Sequence, residues 1–270
     1  MTFTQRVREV QRNQNSLLCV GLDVDAGKIP ASLNSGENPE LEFNRKIIDA
    51  THDLVCAYKL NLAFYESMGE RGHIVLRETL RSIPETVITI GDGKRGDIGN
   101  TAEHYAQSLF KYFNFDSVTV NPYMGFDSVE PFLSYDEKGA FILALTSNSG
   151  SRDFQRLKVG TKPFYEKVVG TVKKWNSKNN IGLVVGATHP KELQRIRTMV
   201  PGMPILIPGI GKQGGDLKSA IRFGGDKNGQ LAIINASRSI LYASTGQDFA
   251  DAARTEAKKI VDEMRLYLNR

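Results

Sequence analysis

Eight short runs rich in Val, Ile and Leu, spaced along almost the whole chain, limit what this sequence can fold into more than any other feature. They occupy residues 17–23, 55–60, 87–92, 117–121, 141–146, 181–186, 205–209 and 231–236. None alternates strictly between apolar and polar side chains, so each is expected to be buried on both faces, as the strands of a parallel sheet are. Parallel neighbours need a crossover, and the intervening segments carry apolar residues at helical spacing. Phe43, Ile47 and Ile48 do so in LEFNRKIIDATHDL, and Leu109, Phe110 and Phe113 in TAEHYAQSLFKYF; PKELQRIRTMV and GDLKSAIRFG read the same way. Thr101 and Asp127 are the expected N-caps of two of these helices.

A strand followed by a helix, eight times over, favours a closed (β/α)8 TIM barrel of the α/β class, although periodicity is also compatible with an open doubly wound sheet. The 270 residues, 40% of them hydrophobic, suffice for one such domain over residues 1–270, with no linker or low-complexity segment to divide it. Polar residues gather at the C-terminal end of run after run: Asp23, then Lys59 and Asn61, Asp92 and Lys94, Asn121, Thr146 and Ser147, Gly209 and Gly211, and finally Asn235 and Arg238. A barrel brings those ends to one face, where its active site is expected. The long polar loop 147–162 reads as a surface lid.

Charge narrows the ligand. The net charge of +5 comes from basic residues scattered among 30 acidic ones, with Lys173 and Lys174 among the longest clusters. That suits a small anionic ligand and not a nucleic acid, which calls for a concentrated basic stripe. Cys19 and Cys56 each sit in an apolar run and are expected as buried thiols, not as a disulfide or metal framework. The four histidines, His52, His73, His104 and His189, have no metal-ligand spacing, so neither a metal nor a cofactor is expected. No stretch approaches the roughly 20 apolar residues of a membrane span, and a cytoplasmic protein is the expectation.

The sharpest local signal is Gly91-Asp92-Gly93-Lys94-Arg95-Gly96-Asp97-Ile98. A lone Asp-x-Lys is usually an ordinary ion pair. Here an acid, base, acid array stands at the end of an apolar strand, a costly arrangement that is more often functional than structural. Asp92 and Lys94, two apart, point the same way, and Asp97 follows in the turn. Lys59 reads either as a snorkelling lysine or as a Schiff-base nucleophile of an aldolase, and Asp23 either as a turn cap or as the partner of a ligand hydroxyl. Further on, Pro208-Gly209-Ile210-Gly211-Lys212-Gln213-Gly214-Gly215-Asp216 precedes a helix, and Asn235-Ala236-Ser237-Arg238 follows the eighth run. Backbone N–H groups of a glycine-rich turn, a helix start and a neighbouring guanidinium together suit a phosphate, which barrels commonly bind there.

GDGKRGDIGNTA resembles the D-x-K-x-x-D-I signature of the orotidine 5′-phosphate decarboxylases, and FDSVTVNPYMG with PGIGKQGGD resembles the longer-chain branch of that family. The resemblance runs from Gly21 to about Arg238. It implies that Lys94 protonates C6 of the pyrimidine, that Asp92 lies beside the departing carboxylate, and that Lys59 holds Asp92 and the ribose. It further implies that Asp23 binds a ribose hydroxyl, that Ser147 contacts the pyrimidine amide, that Pro208 contacts the substrate, and that Gln213, Arg238 and the backbone at Gly211 bind the phosphate. Asp97, Ile98 and Thr101 would reach into a neighbouring subunit's site, making the enzyme a homodimer acting on a nucleotide. Some relatives place a tyrosine just after the glutamine, where this chain has Gly214 and Gly215. Two other functions stay open: a sugar-phosphate decarboxylase or lyase of the same superfamily using Mg2+, and a non-catalytic phosphate sensor on the same scaffold.

Overall fold

The structure, a computed structural model, describes residues 1–33, 36–210 and 216–268. All eight apolar runs are strands: β1 (Leu18–Gly21), β2 (Ala57–Asn61), β3 (Ile88–Arg95), β4 (Ser117–Val120), β5 (Gly139–Leu145), β6 (Ile181–Val185), β7 (Ile205–Pro208) and β8 (Ala232–Ala236). Every neighbouring pair is parallel, and β8 pairs with β1 through Leu18↔Ile234 and Val20↔Ala236, which closes the sheet into a barrel. The open-sheet alternative is thereby excluded.

The strands are buried on both faces because two apolar cores enclose them. The outer core lies between strands and helices and takes in Phe43, Ile47 and Ile48 of α2 (Pro39–Thr51), on the face their spacing predicts. The inner core fills the barrel with Cys19, Cys56, Ile88, Ile90, Phe141, Val184, Leu206 and Ile233. Its lower end is plugged by α1 (Phe3–Gln14), whose Phe3, Val7 and Val10 join that core. Phe3 meets Phe141 edge-to-face at 5.8 Å between ring centroids, and Gln11 both donates to the Ala232 carbonyl at 2.7 Å and accepts from the Leu231 N–H at 2.8 Å. With the bottom sealed, the opposite end is the one open to a ligand.

Two helix starts differ from expectation. The helix expected to be capped by Thr101 begins earlier, at Gly99–Gln107, with Ile98 at the N-cap and Thr101 already in the first turn. Likewise Phe126–Leu133 begins directly after Gly125, whose φ of 97° makes the reversal there and places Asp127 in the first helical turn. Asp127 still favours that end electrostatically, but as a charge near the helix dipole. The loop after β5 is also less irregular than expected: it holds a helical turn (Ser151–Phe154) and a small antiparallel pair, Lys158–Val159 with Lys162–Pro163. Among the described residues no helix is long and apolar enough to cross a membrane.

Candidate active site

The C-terminal ends of the strands surround a cavity of about 330 Å³. Its floor is apolar, formed by Leu143 of β5, Val184 of β6 and Leu206 of β7. The ends of β1, β2 and β3 bring Asp23, Lys59, Asp92 and Lys94 to it, and the ends of β7 and β8 bring Pro208, Gly209, Ile210, Ser237 and Arg238. Of the residues expected at the site, Asp23, Lys59, Asp92, Lys94, Ser147, Pro208 and Arg238 therefore converge. Gly211 and Gln213 lie outside the described residues.

The charged wall is a continuous chain. Lys59 Nζ stands 3.5 Å from Asp23 Oδ1 and 3.1 Å from Asp92 Oδ2, and Lys94 Nζ donates to Asp92 Oδ1 at 2.6 Å. Lys59 is 4% exposed and bracketed by two carboxylates, so the snorkelling reading fails. Burial works against its charge, but Asp23 and Asp92 outweigh burial and raise its pKa above the ordinary lysine value. An ammonium held so firmly is a poor Schiff-base nucleophile, which disfavours the aldolase reading.

Of the expected acid, base, acid array, Asp92 and Lys94 line the cavity of their own chain. Asp97 does not line the cavity; its Oδ1 accepts from the neighbouring Ile98 N–H at 2.8 Å. Ile98 is 55% exposed and Thr101 is exposed too. Within one chain the second carboxylate is therefore Asp23, and the cation between two carboxylates is Lys59 and not Lys94.

Asp92 and Lys94 do share a side, but not because β3 is regular. Between the pairs Gly91↔Val118 and Arg95↔Val120 the register shifts, so Asp92, Gly93 and Lys94 bulge opposite Thr119 alone. Lys94 adopts φ 46°, a left-handed conformation that costs a non-glycine residue about 1 kcal/mol or more. Its N–H donates to Thr119 Oγ1 at 2.9 Å, and the same hydroxyl donates to Asp92 Oδ1 at 2.9 Å. Thr119 was missed in the sequence. The available signal was a hydroxyl within the apolar run Ser117-Val118-Thr119-Val120.

Burial alone would push the Asp92 carboxyl up, yet Lys59 and Lys94 more than offset this and hold it down, at about 2 against an ordinary 3.8. A depressed folded-state value means that ionised Asp92 stabilises the fold above the unfolded pKa and that this contribution disappears as pH falls toward about 2. It amounts to about 2 kcal/mol. Denaturant unfolding of the parent should therefore lose about that much more stability than Asp92→Asn between about pH 5 and about pH 2. Equal losses would mean that Asp92 titrates as an ordinary aspartate.

The remaining wall is positioned by neighbours. The Tyr242 hydroxyl donates to the Asp23 carbonyl at 3.1 Å and accepts the Asp25 N–H at 2.8 Å, which pins the end of β1. Thr146, next to Ser147, exchanges hydrogen bonds with the Gln155 amide and contacts His189 Nε2 through its carbonyl at 3.2 Å. Ser147 Oγ is buried with no partner of its own. It lines the cavity directly above Gly186, where a Cβ would fall 2.1 Å from that oxygen, so the close approach requires glycine. Among the described residues no three His, Cys, Asp or Glu side chains converge as a metal-binding set.

Comparison with known proteins places this geometry. A family model described as orotidine 5′-phosphate decarboxylase / HUMPS family matches residues 16–255. The chain is 50% identical over 274 residues to the orotidine 5′-phosphate decarboxylase of Dehalococcoides mccartyi, covering 100% of both chains. Its fold superposes on the OMP decarboxylase structure from Leishmania donovani with a TM-score of 0.84 and 38% identity, over 98% of this chain and 100% of that one. The Leishmania donovani UMP synthase matches with a TM-score of 0.86 and 40% identity; there 98% of this chain spans 57% of the longer one. A family match over most of the sequence, together with half-identity along its full length, means that the chain belongs to the orotidine 5′-phosphate decarboxylase / HUMPS family.

Proposed function

We propose that this protein converts orotidine 5′-phosphate into uridine 5′-phosphate and CO2 without a cofactor. The observation that carries the reading is the chain Asp23, Lys59, Asp92, Lys94 lining one small apolar-floored cavity together with Arg238. Breaking the bond between C6 and the carboxylate leaves its electron pair on C6, in the plane of the ring, where no substituent delocalises it. A fixed ammonium at that point is the natural stabiliser. The Lys94 ammonium meets the developing charge and then gives C6 its proton, and solvent restores the lysine. Asp92 stands beside the departing carboxylate and orients Lys94. Lys59 holds Asp92 and the ribose, Asp23 binds a ribose hydroxyl, and Ser147 offers its unpaired hydroxyl to the pyrimidine amide.

Pro208 lines the substrate cavity, and Arg238, with Gln213 and the backbone at Gly211, takes the phosphate. Asp97, Ile98 and Thr101, exposed and turned away from their own cavity, complete the site of a second copy in a homodimer. The two free, buried cysteines suit a reducing compartment, and we place the reaction in the cytoplasm.

The test is to incubate the purified protein with orotidine 5′-phosphate and follow the loss of its ultraviolet absorbance, with and without excess EDTA. Turnover at the same rate in both is expected, because Asp23 and Asp92 are already neutralised by Lys59 and Lys94 and offer a divalent cation little net charge. Turnover of a sugar phosphate alone, lost with EDTA, would assign the magnesium-dependent lyase instead.

A further inference from the structure

We propose that Thr119 is a positioning residue for the decarboxylation, and that its single hydroxyl sets both the left-handed turn at Lys94 and the direction of the Asp92 carboxylate. The proposal rests on the decarboxylase reading of the site. Donor and acceptor roles leave no choice. The Lys94 backbone nitrogen can only donate, so at 2.9 Å Thr119 Oγ1 accepts from it. The Asp92 carboxylate, held ionised by its two lysines, can only accept, so the hydroxyl proton goes to Oδ1, also at 2.9 Å.

Location makes this more than a local contact. Thr119 is 1% exposed and is the one residue of β4 facing the bulge that carries Asp92, Gly93 and Lys94. In a regular ladder a Lys94 N–H would meet a strand carbonyl; here the threonine oxygen takes that place and keeps a non-glycine residue at φ 46°. Asp92 Oδ1 is also the atom that receives Lys94 Nζ at 2.6 Å. One hydroxyl thus holds the catalytic lysine by its backbone and its counter-ion by the same oxygen that fixes the ammonium. Thr119 is at the cavity margin, but its hydrogen bonds are used within the protein, so it acts through Lys94 and Asp92 and not on the substrate.

The test compares Thr119→Val, which keeps shape and loses both hydrogen bonds, with Thr119→Ser, which keeps the hydroxyl. Thr119→Val is expected to lower kcat by about 30- to 100-fold, the scale on which a misplaced catalytic group acts, while KM moves by less than about threefold. Thr119→Ser should restore kcat to within about threefold of the parent. Thr119→Ala removes the same hydroxyl without any risk of crowding and should show the same split if the valine variant does not fold. Ser117→Ala serves as a control: it loses a buried β4 hydroxyl that donates to the Thr89 carbonyl at 3.2 Å, away from the cavity. Its kcat should stay within about twofold. Equal losses in Thr119→Val and Ser117→Ala, an unchanged kcat in Thr119→Val, or no rescue by serine would each overturn the proposal. A parent enzyme inactive on orotidine 5′-phosphate would instead overturn the decarboxylase reading.

Discussion

Replacing Lys94 with alanine is expected to lower kcat by at least about 10²-fold, a loss of about 3 kcal/mol or more of transition-state stabilisation, while leaving nucleotide binding measurable. Among the described residues three cations line the cavity: Lys59, Lys94 and Arg238. Lys59 is engaged on both sides by carboxylates and almost wholly buried, and Arg238 enters the cavity from the end of β8, not from the bulge that carries Asp92. The Lys94 side chain is 47% exposed and held by one carboxylate, so it keeps donors free to face a ligand. Truncating it leaves Asp92 with Lys59 and the Thr119 hydroxyl, so the buried carboxylate stays satisfied and the fold should persist. Steady-state kinetics with a parallel titration of uridine 5′-phosphate separates chemistry from binding. Activity within about tenfold of the parent would remove Lys94 from the chemical step.

Two inactive variants should restore each other. Asp97 points away from the cavity of its own chain, its carboxylate spent on the adjacent Ile98 N–H, with exposed Ile98 and Thr101 beside it. If those residues complete a partner's site across a two-fold axis, the exchange is reciprocal. Lys94→Ala and Asp97→Ala are each expected to be nearly inactive alone. Mixed under conditions that exchange subunits, each hybrid dimer holds one site with both lesions and one with neither. Random exchange should then recover about a quarter of the parent activity, since half the dimers are hybrids and each has one intact site of two. Verified exchange with no recovered activity would mean that Asp97 serves its own subunit.

Much of this protein could be read from its residues. The eight apolar runs coincide with the eight strands to within two residues at most ends, because a strand buried on both faces must be apolar throughout and its limits show as a change in composition. The strand-end residues Asp23, Lys59, Asp92, Lys94, Ser147 and Arg238 were legible for a related reason: in a closed parallel barrel, position along a strand determines which end, and hence which face, a side chain occupies. Helix boundaries were less legible. Thr101 and Asp127 have the chemistry of N-caps, but Ile98 and the left-handed Gly125 decide where those helices begin.

What only the tertiary structure decided is how the other charged groups pair around the Lys59–Asp92 contact that the family resemblance had implied. Sequence proximity put Asp97 with Asp92 and Lys94, whereas strand adjacency puts Lys59 between Asp92 and Asp23, residues 33 and 36 positions away. Thr119 illustrates the same limit. A threonine in an apolar strand is unremarkable until the neighbouring strand bulges opposite it and leaves a backbone N–H and a carboxylate to be satisfied by one hydroxyl. The sequence by itself determined the eight buried strands and the strand ends that bear the site, because burial and periodicity are properties of single segments, whereas the pairing of β1 with β8 decided for the barrel over the open sheet. Which lysine is clamped and which is left facing the cavity depends on contacts between segments, and those exist only once the barrel has closed.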